Sequence, residues 1–86
     1  MSNSSYIFVS NLGDEVTEED LRELFGSIGP LKKCGLKYDR SGRSVGLADI
    51  VYENARDAKT AFEKYKNAKL DGRPMVLEMR VIDGPG

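Results

Sequence analysis

Phe8 stands in a run, Tyr6-Ile-Phe-Val-Ser-Asn-Leu12, that alternates with the two-residue period of a strand. Tyr6, Phe8 and Ser10 share one face; Ile7 and Val9 share the other. Further along, Tyr38-Asp-Arg-Ser-Gly-Arg-Ser44 forms a basic, turn-prone loop that leads into a second alternating run, Val45 to Tyr52. Rings on an open sheet face can stack nucleobases, and cations around them can contact phosphates. The residues in position for this chemistry are Tyr6 and Phe8, with Lys33, Lys37, Arg40, Arg43 and Arg80 as a cationic rim. The same cations are also the ordinary guard of a sheet edge against aggregation. Arg43 has a competing partner in Asp39 across the turn, and Phe8 has a competing role in packing against the chain from Ile82.

Catalysis has no such constellation. The chain lacks histidine, a nucleophile elbow and a Gly-rich phosphate loop before a helix. Some small hydrolases of acyl phosphates use an Arg and an Asn, and Arg22 and Asn11 are available. Nothing around them fixes an attacking water, so no enzyme activity is expected. The lone cysteine, Cys34, reads as a small buried hydrophobe. No metal or other cofactor is expected, because carboxylates would have to supply almost every ligand. No apolar run reaches membrane-spanning length, and Met1 to Ser5 lacks the pattern of a signal peptide. A cytosolic or nuclear setting follows by elimination.

The net charge of −1 argues against strong nonspecific binding of nucleic acid. The charges are segregated, however. Asp14 to Phe25 holds six acidic residues against one basic, and Leu31 to Arg43 holds five basic against one acidic. Glu18, Glu19, Arg22 and Glu23 are therefore candidates for docking a basic protein segment, with solvated surface as the plain alternative. Asp49 faces the open sheet, where it is expected to pair with Lys33 or Arg80 and to repel phosphate.

Six elements must position these groups. After the first strand, Thr17 and Asp20 form a near capping box, and Leu21, Leu24 and Phe25 give the helix an apolar stripe. Leu31 to Lys37 reads as a strand with Cys34 and Leu36 inward. Val45 to Tyr52 puts Gly46, Ala48, Ile50 and Tyr52 on one face and Val45, Leu47, Asp49 and Val51 on the other. Asn54 is the expected cap of a helix to about Lys66, with Ala55, Ala58, Ala61, Phe62 and Tyr65 on its buried side. A turn at Leu70 to Pro74, with room for a very short strand, precedes a last strand from Met75 to Val81. The order β-α-β-β-α-β is an α+β, ferredoxin-like split βαβ pattern: a four-stranded antiparallel sheet with two helices on one face. Residues 6–81 form the expected domain, and 1–5 and 82–86 are expected to be flexible.

The chain resembles the RNA recognition motif (RRM), with Ile7-Phe-Val-Ser-Asn-Leu12 as its first-strand motif and Arg43-Ser-Val-Gly-Leu-Ala-Asp-Ile50 as its third-strand motif. More closely, Tyr38 to Ser44, Gly46, Ala48-Asp49 and Leu70-Asp-Gly-Arg-Pro-Met75 resemble the central domain of the Aly/REF family of mRNA-export adaptors. In ordinary RRMs, bases stack on rings at the positions held here by Phe8, Val45 and Leu47. Only one of these is aromatic, so weak binding of single-stranded RNA is expected. The loss of the two rings is itself like Aly/REF, whose domain is a poor RNA binder that contacts proteins. The resemblance implies a nuclear protein, shuttling to the cytoplasm. Its implied partners are an mRNA-export receptor, an RNA helicase or other mRNP proteins, with the domain itself monomeric and away from membranes. The family's Arg/Gly-rich arms do not appear in these residues, as expected of an excised domain or a reduced relative. The alternative is a purely protein-interacting RRM-like domain without physiological RNA contact.

Overall fold

The computed structural model describes residues 4–82, with side chains from 6 to 80. Its elements are β1 (Ser4–Ser10), α1 (Glu18–Gly26), β2 (Leu31–Tyr38), β3 (Ser44–Tyr52), α2 (Ala55–Tyr65), two short strands β4 (Lys69–Leu70) and β5 (Arg73–Pro74), and β6 (Val76–Ile82). The main sheet runs β2-β3-β1-β6 and is antiparallel throughout, and β4 with β5 makes a separate hairpin. This is the expected split βαβ architecture. Ser4 and Ser5 pair with Ile82 and Val81, inside the segments expected to be flexible. The rest of those segments, with the Gly84-Pro-Gly86 tail, lies outside the described residues.

Alternation drives the layering. Ile7, Val9, Leu36, Ile50 and Ala48 turn one face of the sheet towards Leu21 and Phe25 of α1 and Ala58 and Ala61 of α2, and all of them are buried. Each large side chain among them contributes about 1.5–3 kcal/mol by leaving water. Phe62, expected on the buried side of α2, packs at the margin of the core with Leu77, and both are only partly buried. Tyr52 crosses the core, and its hydroxyl donates to the Phe25 carbonyl at 2.6 Å.

The helix starts differ from one another. Thr17 and Asp20 complete a reciprocal capping box: the Asp20 amide donates to Thr17 Oγ1 at 3.1 Å, and the Thr17 amide donates to Asp20 Oδ2 at 3.2 Å. The short Asp side chain therefore suffices. Asn54 occupies the N-cap of α2 but makes no side-chain cap bond, its amide nitrogen lying 3.5 Å from Asp57 Oδ2 instead. Ala55, placed by periodicity on the buried side, is exposed at the first turn of α2, and burial begins at Ala58.

Gly46 fixes the junction between the first and third strands. Its φ is 80°, and its carbonyl accepts the Leu12 amide at 3.2 Å. A β-carbon there would lie 2.7 Å from the Leu12 carbonyl oxygen. Close backbone approach is what this glycine provides. Asn11, also at positive φ (62°), donates from its side chain to the Pro74 carbonyl at 2.7 Å and ties the end of β1 to the small hairpin.

Candidate nucleic-acid interface

Both helices pack on the same side of the sheet, so the opposite face is open. The strand registers arrange its side chains in rows. One row runs Lys33, Val51, Tyr6, Arg80. The next runs Gly35, Asp49, Phe8, Glu78. Beyond it, Leu47 of β3 and Val76 of β6 lie towards the same end of the sheet as Ser10, with Val45 further out. Val45 and Val76 are about half exposed, at 46% and 52%. Tyr6, Phe8, Lys33, Lys37, Val45, Leu47 and Arg80 thus share the open face. Arg40 and Arg43 flank it from the β2–β3 loop.

That loop is built around Asp39. Its Oδ1 accepts from the Ser41 hydroxyl at 2.7 Å, the Ser41 amide at 2.9 Å and the Arg43 amide at 3.0 Å. The Ser41 hydroxyl is the largest influence holding this carboxyl below the usual aspartate range, followed by the backbone amides. Arg43 therefore meets Asp39 through its backbone and not through its guanidinium. Neither the Arg40 nor the Arg43 guanidinium has an ion-pair partner among the described residues.

Two pairings on the face differ from expectation. Asp49 pairs with Lys37, Nζ to Oδ2 3.2 Å, and with neither Lys33 nor Arg80. Lys37 is the diagonal neighbour of Asp49, two residues beyond its partner Gly35 on β2. Arg80 is engaged by Glu78, its Nε donating to Oε1 at 2.6 Å, and its guanidinium carbon lies 4.6 Å from the centre of the Phe8 ring. The Glu78 hydrogen bond, then the neighbouring Tyr6, hold Arg80 still more firmly in its charged form. Glu78 did not emerge from the sequence as a site residue. Strand alternation already put it on the face of Arg80, but only the adjacency of β6 to β1 brings it beside Phe8.

The acidic helix divides in two. Glu18 turns inward: Oε1 lies 3.6 Å from Arg22, and Oε2 accepts the Leu36 amide at 3.4 Å. It braces the exposed edge strand β2 and takes Arg22 with it. Glu19 and Glu23 remain outward and exposed. Glu23 joins Asp20 and Asp71 around a shallow depression of about 420 Å³, floored by Leu24 and Leu70, between α1 and the small hairpin. Asp20 and Asp71 were absent from the expected docking face, because the hairpin position of Asp71 is a tertiary fact. Cys34 is buried; desolvation raises its thiol pKa, partly offset by Arg22, so the thiol is not activated.

Residues 7–76 match the RNA recognition motif. The chain belongs to that family. The RRM is 48% identical over 73 residues to THO complex subunit 4C of Arabidopsis thaliana, covering 85% of this chain and 25% of the relative. It is 44% identical over 81 residues to mRNA export protein mlo3 of Schizosaccharomyces pombe, covering 92% and 41%. It thus spans between a quarter and two-fifths of the length of these relatives. The crystal structure of RNA-binding protein PG1 superposes with a TM-score of 0.86 at 31% identity, covering 96% of this chain and all of that one. The closer resemblance to Aly/REF proteins agrees with the THO subunit match. RRMs of this kind are RNA-binding modules and not enzymes.

Proposed function

We propose that this RRM binds single-stranded RNA weakly on its open sheet face, as the central module of a nuclear mRNA-export adaptor, and docks partner proteins through α1. The observation that carries the RNA reading is the open face itself: Phe8 at its centre, Tyr6 beside it, and Lys33, Lys37, Arg40, Arg43 and Arg80 around it. Two features keep affinity low. Val45 and Leu47 offer no π-face where a second and third base would stack. Asp49 and Glu78, on both flanks of Phe8, already engage Lys37 and Arg80, the cations that phosphate would need. A dissociation constant on the order of tens of micromolar or weaker follows for the domain alone. Support for export comes from the similarity to a THO complex subunit and to the mRNA export protein mlo3.

The test restores the missing rings. Val45→Phe with Leu47→Phe places two rings on the open face, where they meet solvent and not the core. Each base that gains a ring partner adds about 1–3 kcal/mol, less the cost of ordering it. The double variant is expected to stay folded and to bind single-stranded RNA at least tenfold more tightly, as about 1.4 kcal/mol requires. A folded double variant with unchanged affinity means that RNA does not lie on the sheet.

A further inference from the structure

Phe8 is bracketed by carboxylates. Its neighbours across the two flanking strands are Asp49 of β3 and Glu78 of β6. The two are neutralised in different ways. Asp49 takes Lys37 from β2, at 3.2 Å. Glu78 takes Arg80 from its own strand, through Nε at 2.6 Å and through Nη2 on the same oxygen. Held by that fork, the guanidinium rests on the Phe8 ring, 4.6 Å from its centre. A cation on a ring face is attracted by the ring quadrupole, and a planar guanidinium also stacks there. The surface that a base would use is already covered.

We propose that Glu78 sets the RNA affinity of this face by holding Arg80 over Phe8 as an internal cover that a nucleotide must displace. This rests on the sheet-face reading above and adds how that site is regulated. A nucleotide carries both competitors needed to lift the cover. Its phosphate competes with the Glu78 carboxylate for the guanidinium, and its base competes with the guanidinium for the ring. No bond is made or broken; Arg80 changes partner from a carboxylate to a phosphate. The apparent affinity of a site falls by the fraction of time it is open. A cover in place for about four-fifths of the time makes binding about fivefold weaker.

Glu78→Gln tests this, because glutamine keeps size and polarity but releases the charge that anchors Arg80. Two readouts are needed. The first is RNA-free: side-chain resonances of Arg80 shifted by the Phe8 ring current, lost in Phe8→Leu and reduced in Glu78→Gln. The second is the affinity of a short oligouridylate for the wild type, each single variant and the double variant. Expected is a gain of about fivefold for Glu78→Gln that shrinks below about twofold in the Phe8→Leu background. A gain that persists undiminished without the ring overturns the cover, since removing a negative charge near phosphate would then explain it. No gain from Glu78→Gln, with Phe8→Leu still weakening binding, overturns the cover and leaves the sheet reading standing. Equal affinity for all four proteins overturns both.

Discussion

Tyr52 shows how one side chain serves the architecture without touching the interface. Its hydroxyl bridges the sheet to the end of α1 through the Phe25 carbonyl, and burial pushes its pKa well above the ordinary tyrosine value. Tyr52→Phe should destabilise the fold by about 1–2 kcal/mol, because the carbonyl loses a buried donor. The pH dependence follows from the raised pKa. Below the unfolded value, about 10, the contribution of this protonated hydroxyl is fully present. Above it the unfolded chain ionises while the folded one does not, so the wild type loses stability as pH climbs towards the folded pKa. Tyr52→Phe lacks that slope. Urea midpoints of the two proteins should therefore converge above about pH 10; a constant gap would mean that Tyr52 ionises freely in the fold. None of this was legible in the sequence beyond the inward direction of Tyr52. Phe8 facing outward was legible from period two. Its contact with Arg80 was not, because strand order rather than alternation makes β1 and β6 neighbours.

At the scale of elements, the patterns with short-range causes read well. Alternation placed four strands, and the Thr17–Asp20 spacing placed the start of α1. The details left open lie in the contacts around these elements. Asn54 takes the N-cap position expected of it, and only its side-chain bond is missing, because the amide lies towards Asp57 in the first turn of the same helix. The turn from Leu70 to Pro74, with its room for a very short strand, is a two-stranded hairpin, held where Asn11 binds the Pro74 carbonyl and the Met75 amide donates to the Ala68 carbonyl. Gly46 is the point where the β1 and β3 backbones come closest to a clash. Gly46→Ala should cost about 1–3 kcal/mol, through a positive φ and the Leu12 carbonyl in the path of the new methyl. Chemical denaturation reads this directly, and an unchanged midpoint would show that the β1–β3 junction relaxes freely.

Across the whole molecule, charge is uneven: cations gather around the open sheet, with Asp49 and Glu78 among them, and carboxylates gather along α1. Near-zero net charge hides this polarity. Under the proposed function, this arrangement would let a single domain attract phosphate on one side and a basic protein segment on the other, both through forces that fade with salt. Because Glu18 is engaged in bracing β2, the proposed docking face comes down to Glu19 and Glu23 with Asp20 and Asp71. Glu19→Lys with Glu23→Lys should leave the fold intact and weaken binding of an arginine-rich peptide several-fold at low salt, with a smaller difference at high salt. Equal binding by the reversed protein would make this face ordinary solvated surface. The central claim is that RNA lies on the sheet, and titrating single-stranded RNA while following backbone amide shifts tests it most directly. Fast-exchanging shifts should cluster at Tyr6, Phe8, Lys37, Arg40, Arg43 and Arg80, with a dissociation constant on the order of tens of micromolar or weaker. Shifts confined to α1 and α2, or submicromolar affinity at physiological salt, would contradict it.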